Sequence, residues 1–174
     1  MPWIIDPAHT QIDFSVKHMM IVTVRGRFDK FGGTVNVDEK NLENSSAEGA
    51  VELASVDTRD PNRDAHLRSP DFFDVEKYPR ITFKTTRIQR AGKGQYKAAG
   101  ELTIKDITRE VVFNVTDEGQ NKDPWGNLRW GLAAQTAINR KDFNLTWNVA
   151  LEAGGVLVGE QVKVNVEVEL IRQA

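Results

Sequence analysis

The 174-residue sequence contains no cysteine, so neither disulfides nor thiolate-bound metal can support its fold. That usage fits a reducing compartment. Histidine is scarce as well: His9, His18 and His66 are the only three, and no His-x-His or His-Glu-x-x-His spacing links them. The Gly-x-Ser-x-Gly string of a nucleophile elbow is absent. Ser15 and His18 lie three residues apart, a spacing that sends strand side chains to opposite faces. No apolar run approaches the roughly 20 residues of a membrane-spanning helix. An excess of one charge is also missing. The balance of 23 basic and 25 acidic side chains leaves −2, without the basic stripe of a nucleic-acid binder. The first residues carry no basic segment followed by a long apolar one. The expected compartment is therefore the cytoplasm, or the periplasm if the sequence is a mature form. Together these absences point to a protein that is not an enzyme and that takes no cofactor.

What the sequence does have is alternation. Val162, Val164, Val166, Val168 and Leu170 are separated by polar residues, giving a strand with one apolar and one wet face. The same pattern marks Gln11 to His18, about Ile21 to Phe31, Ala47 to Leu53, Ile81 to Ile88, Tyr96 to Ile104, Val111 to Thr116 and Leu128 to Ile138. Gly32-Gly33 reads as a turn before Thr34 to Val37, and Asp117 to Gly126 as a long loop. One segment breaks the pattern. Asp60-Pro61 has the form of a helix cap followed by a first-turn proline, predicting a short helix over about residues 60–68. Eight or nine long strands with short connections suit hairpins. A single domain over 1–174 is expected, all-β, either sandwich or barrel, with strand length favouring the barrel.

Particular strings then become informative. Asp6-Pro7-Ala8-His9-Thr10, Phe14-Ser15-Val16-Lys17-His18 and Val24-Arg25-Gly26-Arg27-Phe28 form one set. Thr58-Arg59-Asp60-Pro61-Asn62-Arg63-Asp64-Ala65-His66-Leu67-Arg68-Ser69, with Asp71-Phe72-Phe73-Asp74 and Tyr78-Pro79, forms a second. Leu102 to Thr108, Asp123-Pro124-Trp125-Gly126 and Asn139 to Asn148 complete it. In this order, along essentially the whole chain, they resemble the YceI-like family. The resemblance implies an extended eight-stranded antiparallel lipocalin-like barrel. It also implies transport or storage of a polyisoprenoid lipid in the lumen, such as a prenyl pyrophosphate or a prenylated quinone precursor, without catalysis.

Alternation nominates the ligand-facing residues: Ile12, Phe14, Val16, His18, Phe28, Val35, Phe83, Leu102, Ile104, Phe113, Trp130, Leu132, Val164 and Val166. For each of these, ordinary core packing is the competing reading. Phe72 and Phe73 are lid candidates, and Phe143 and Trp147 are candidates for the far side of the mouth. Arg63, His66, Arg68 and Arg140 could hold an anionic or phenolic head group by charge-assisted hydrogen bonds. Alternatively, Arg63 and Arg68 pair with Asp60, Asp64, Asp71 or Asp74. The rival function is a metal- or haem-binding barrel using His18, His9 or His66. Exposed strand edges make a homodimer conceivable.

Overall fold

The computed structural model describes residues 2–152 and 154–173. Its strands are β1 (Ile4–Ile5), β2 (Gln11–His18), β3 (Val22–Phe28), β4 (Phe31–Asn36), β5 (Ser46–Glu52), β6 (Val56–Asp57), β7 (Arg80–Gly92), β8 (Gln95–Ile104), β9 (Ile107–Lys122), β10 (Leu128–Asn139) and β11 (Val158–Arg172). One helix, α1 (Pro61–Arg68), lies between β6 and β7. All ladders are antiparallel, in the order β4-β5-β7-β8-β9-β10-β11-β2-β3-β6, with β1 on β11.

Eleven strands are described where eight were expected, yet the strongly curled sheet groups them, β1 apart, into eight barrel staves through one bend. β3 pairs with β2 through Asp13↔Arg27 to His18↔Val22, while β4, two residues further on, pairs with β5. The intervening Asp29 and Lys30 keep their backbone bonds to Ser55 and Glu52, at 3.4 and 2.9 Å. β3–β4 is thus one bent stave and β5–β6 its partner; with β2, β7, β8, β9, β10 and β11 they make eight. Among the described residues, unpaired edge remains at the short β6 and on the side of β4 that faces β1. The edge-pairing argument for a dimer loses most of its ground.

Two expectations are corrected. Gly32-Gly33 is not a turn but part of β4, with Gly33 opposite Gly49. A Cβ on Gly33 would lie 2.4 Å from the Glu48 carbonyl oxygen, so the glycine permits close backbone approach. Asp117 to Gly126 is not one long loop: β9 runs to Lys122, leaving Asp123 to Asn127 as the connection. Residues 118–122 are all exposed, so they carry no apolar rhythm to read.

The predicted helix is present. Asp60 caps it, its side chain accepting hydrogen bonds from the Asn62 and Arg63 amides at 3.0 and 3.2 Å. Pro61 occupies the first turn, where a missing N–H costs nothing. Asp64 ties α1 to the end of β6. Its buried carboxylate accepts from Thr58 N and Thr58 Oγ1 at 2.8 and 2.6 Å. The helix is thereby fastened across one end of the barrel. The opposite end is plugged by Trp3, Trp130 and Leu170, the two indoles meeting edge to face at 5.4 Å.

Candidate functional site

Inside the barrel lies a cavity of about 570 Å³ with a predominantly apolar wall. Inward alternation builds it. β2 contributes Ile12, Phe14, Val16 and His18, and β11, in register beside it, contributes Val164 and Val166. Phe28, Val35, Phe83, Leu102, Ile104, Phe113 and Leu132 also line it. Ala134 stands between Val115 and Val166 on neighbouring strands, and its missing side-chain volume becomes lumen. Gly100 works differently. A Cβ there would come within 2.5 Å of the Phe83 ring, so that aromatic already uses the space.

Two nominated apolar residues lie off the wall. Trp130 belongs to the plug, its Nε1 donating to Asp117 Oδ1 at 2.7 Å. Phe143 is buried in the main core behind the wall. Trp130 satisfies the strand pattern, but alternation gives the face of a strand and not the depth along the barrel; Phe143 lies in the single helical turn after β10, where no alternation applies.

At the helix end, Phe72, His66 and Trp147 form a cluster bordering the cavity. The His66 ring meets Phe72 and Trp147 edge-on at 5.0 and 4.6 Å, and Phe72 and Trp147 are 5.4 Å apart. Phe73 lies deeper, against Phe28 at 6.2 Å. His66 Nε2 is 2.8 Å from Asp71 Oδ2. Arg63 faces the cavity from α1, donating Nε to Thr58 Oγ1 and Nη2 to Thr58 O at 2.8 and 2.7 Å. Thr58 therefore relays Asp64 to Arg63, and no described ion pair neutralises that guanidinium. Arg68 does not border the cavity.

Arg140 does border it, but its donors are directed into the fold. With 2% of its surface exposed, it gives Nε to Gly159 O, Nη1 to Leu145 O and Trp147 O, and Nη2 to Val158 O, at 2.6 to 3.2 Å. Burial lowers its pKa, against a weaker upward pull from Glu160. A guanidinium spent on four carbonyls staples Leu145 and Trp147, just after β10, to Val158 and Gly159 at the start of β11. That assigns Arg140 a structural part its sequence neighbours did not reveal.

The three histidines do not converge on one centre. His18 and His66 border the cavity, whereas His9 sits beyond its far end with Asp6 and Glu169. Among the described residues, that trio is the one group whose ligand atoms all lie within 4.8 Å of one another. Arg129 occupies it, with Nη1 2.7 Å from Asp6 Oδ2 and 3.5 Å from Glu169 Oε2. A guanidinium already supplies the positive charge there. Arg129 also donates Nε to Asp123 Oδ2 at 2.9 Å. Burial pushes the Asp123 carboxyl up, but bonds from Arg129, Asn127 and the Trp125 amide outweigh it and bring it down to about 2.

The family model described as YceI-like domain matches residues 3–170 of this sequence. The chain belongs to the YceI-like family. Among its relatives, the UPF0312 protein SA2479 of Staphylococcus aureus (strain N315) is 36% identical over 165 residues, 94% of each chain. The crystal structure of BcnA from Burkholderia cenocepacia superposes with a TM-score of 0.82 at 26% identity, covering 95% of this chain and 98% of that one. A polyisoprenoid binding domain from Saccharophagus degradans shares the fold, at a TM-score of 0.67 and 15% identity over 98% of both chains.

Alternation missed several wall residues of this YceI-like barrel. Leu67 comes from α1, and Leu145 and Leu157 come from irregular chain. Leu67 had a usable signal: it lies four residues after Arg63, on the same helix face. Leu145 and Leu157 had none.

Proposed function

We propose that the protein binds a polyisoprenoid lipid in its barrel lumen, to carry or store it without altering it. The apolar cavity of about 570 Å³ is the observation that supports this reading. An apolar cavity of about 150 Å³ takes one benzene, so on that scale the lumen takes roughly 23 carbons, or four to five prenyl units. At about 0.3 kcal/mol per atom, such a ligand would bind in the micromolar range on apolar contacts alone. Family membership agrees, as does the polyisoprenoid binding domain that shares this fold.

The ligand's polar end belongs at the helix side. There Arg63 offers Nη hydrogens that its two bonds to Thr58 leave over, next to His66. A prenyl pyrophosphate or the phenolic ring of a quinone precursor suits those donors, and longer prenyl chains would project from the mouth. Solvent extraction of the purified protein followed by mass spectrometry tests the proposal. The expected result is a prenyl lipid near one equivalent per chain. Recovery of haem, with its Soret band, or of unbranched acyl chains alone would overturn it.

A further inference from the structure

The end of the barrel that carries the mouth also carries an exposed apolar tip. β2 and β3 are joined by a tight turn in which the Ile21 amide donates to His18 O at 3.1 Å. Met19, Met20, Ile21 and Val22 are 41, 57, 75 and 54% exposed. Beside them runs the segment before β11: Met19 N donates to Leu157 O, and Leu157 N to the carbonyl of the exposed Val149. Five apolar side chains are thus gathered on one protrusion, where water-facing turns ordinarily carry polar residues.

The turn's backbone makes the choice of residue unusual. Met19 and Met20 have φ of 52° and 62°, both in the left-handed region, within the three-residue connection between the paired His18 and Val22. Glycine, asparagine or aspartate fits that geometry at lower cost, so two methionines there run against local preference.

On the hairpin itself the charge has one sign. Between Phe14 and Phe28 there is no acidic residue, while Lys17, Arg25 and Arg27 are basic. Arg27 pairs with Asp29 and Asp57, but Lys17 and Arg25 make no ion pair among the described residues. In the facing segment the exposed carboxylate is Glu152, and Glu160 is engaged by Lys141 at 2.7 Å. On the mouth's helix side, Asp71 is engaged by His66.

We propose that this hairpin tip docks on a bilayer containing anionic lipid, seating the barrel mouth at the membrane surface. An apolar tip with a basic collar has the composition of an interfacial anchor: hydrocarbon contact from the tip and headgroup attraction from the collar. A second protein is a poorer occupant. A few side chains on a convex turn fall far short of the about 800 Å² per side of a stable interface. His18 and Leu157 both border the lumen and adjoin the turn, so a lipid leaving the bilayer would have a short path inward. Docking does not rest on the ligand assignment, because vesicle binding is read whether or not the lumen is loaded.

The test is flotation of the purified protein with vesicles of mixed phosphatidylcholine and phosphatidylglycerol, and with phosphatidylcholine alone. The mixed vesicles should capture the protein. Replacing Met20→Ser and Ile21→Ser together should lower the partition by at least about tenfold. Lys17→Gln with Arg25→Gln should lower it roughly tenfold on the mixed vesicles and little on phosphatidylcholine. All four positions are exposed, so far-ultraviolet circular dichroism should remain that of the parent. Because the chain lacks cysteine, Met20→Cys takes a single environment-sensitive fluorophore, whose emission should shift to the blue on the mixed vesicles. Failure to float, equal flotation of the serine variant, or a tip-dependent dimer indifferent to vesicles would each overturn the proposal. A lipid recovered by extraction alongside any of these would leave the ligand reading standing.

Discussion

Replacing Ala134 with Phe puts a benzene ring into the lumen, at a point where Val115 and Val166 flank an existing gap. Since one benzene occupies a cavity of about 150 Å³, the ring takes roughly a quarter of the 570 Å³ available. It displaces about six ligand carbons, slightly more than one prenyl unit. At about 0.3 kcal/mol per atom the loss is near 2 kcal/mol, or about 20-fold in affinity. The empty protein should move the other way. A ring entering vacant apolar space gains burial, and the melting temperature should rise by a few degrees. Titration with a fluorescent prenyl-lipid analogue, beside a thermal melt of the unloaded protein, measures both effects. Parental affinity in a folded Ala134→Phe protein would show that ligand does not occupy this part of the lumen. Loss of folding would show that the gap is not spare space. The two signs together, weaker binding with a more stable empty barrel, are hard to obtain in any other way.

Phe72→Ala removes the ring that packs on both His66 and Trp147 at the mouth. It should cost about 3 kcal/mol of stability, and stopped-flow transfer to acceptor vesicles should show faster ligand release; unchanged release would deny it a lid role. Asp123, held down to about 2 by Arg129 and its neighbours, gives stability that is complete above its unfolded value near 3.8. That contribution should fade as pH falls from about 4 to 2. In urea titrations over that range Asp123→Asn should flatten the acid dependence, and an undiminished slope would shift the effect to other carboxylates.

Much of the fold is legible in the residues. Period-two alternation located most of the long strands, because a strand with one side on the lumen and one in water must alternate. Asp60-Pro61 located the helix, because cap chemistry is local. The errors fall where the deciding contact is remote. Gly32-Gly33 resembles a turn until Gly49 and the Glu48 carbonyl are set against it, and the end of β9 is paired by β10 despite an all-polar surface. At the candidate site, most nominated apolar residues border the cavity, whereas Trp130, Phe143 and Arg68 do not. A strand pattern resolves inside from outside, but gives neither depth nor the line between wall and second layer.

The residues alone were enough for a curled, antiparallel, apolar-lined architecture, since those properties follow from side-chain order along each strand and from a family pattern spread along the chain. Only the tertiary structure decided that the interior is hollow between a tryptophan plug and an aromatic mouth. It alone showed that Arg140 is spent on four carbonyls, that Arg63 is not, and that Met19 to Val22 share one end with the mouth. The physical reason is volume. Whether inward side chains meet or leave a gap depends on how staves from distant parts of the chain are spaced and staggered, and no single strand carries that information.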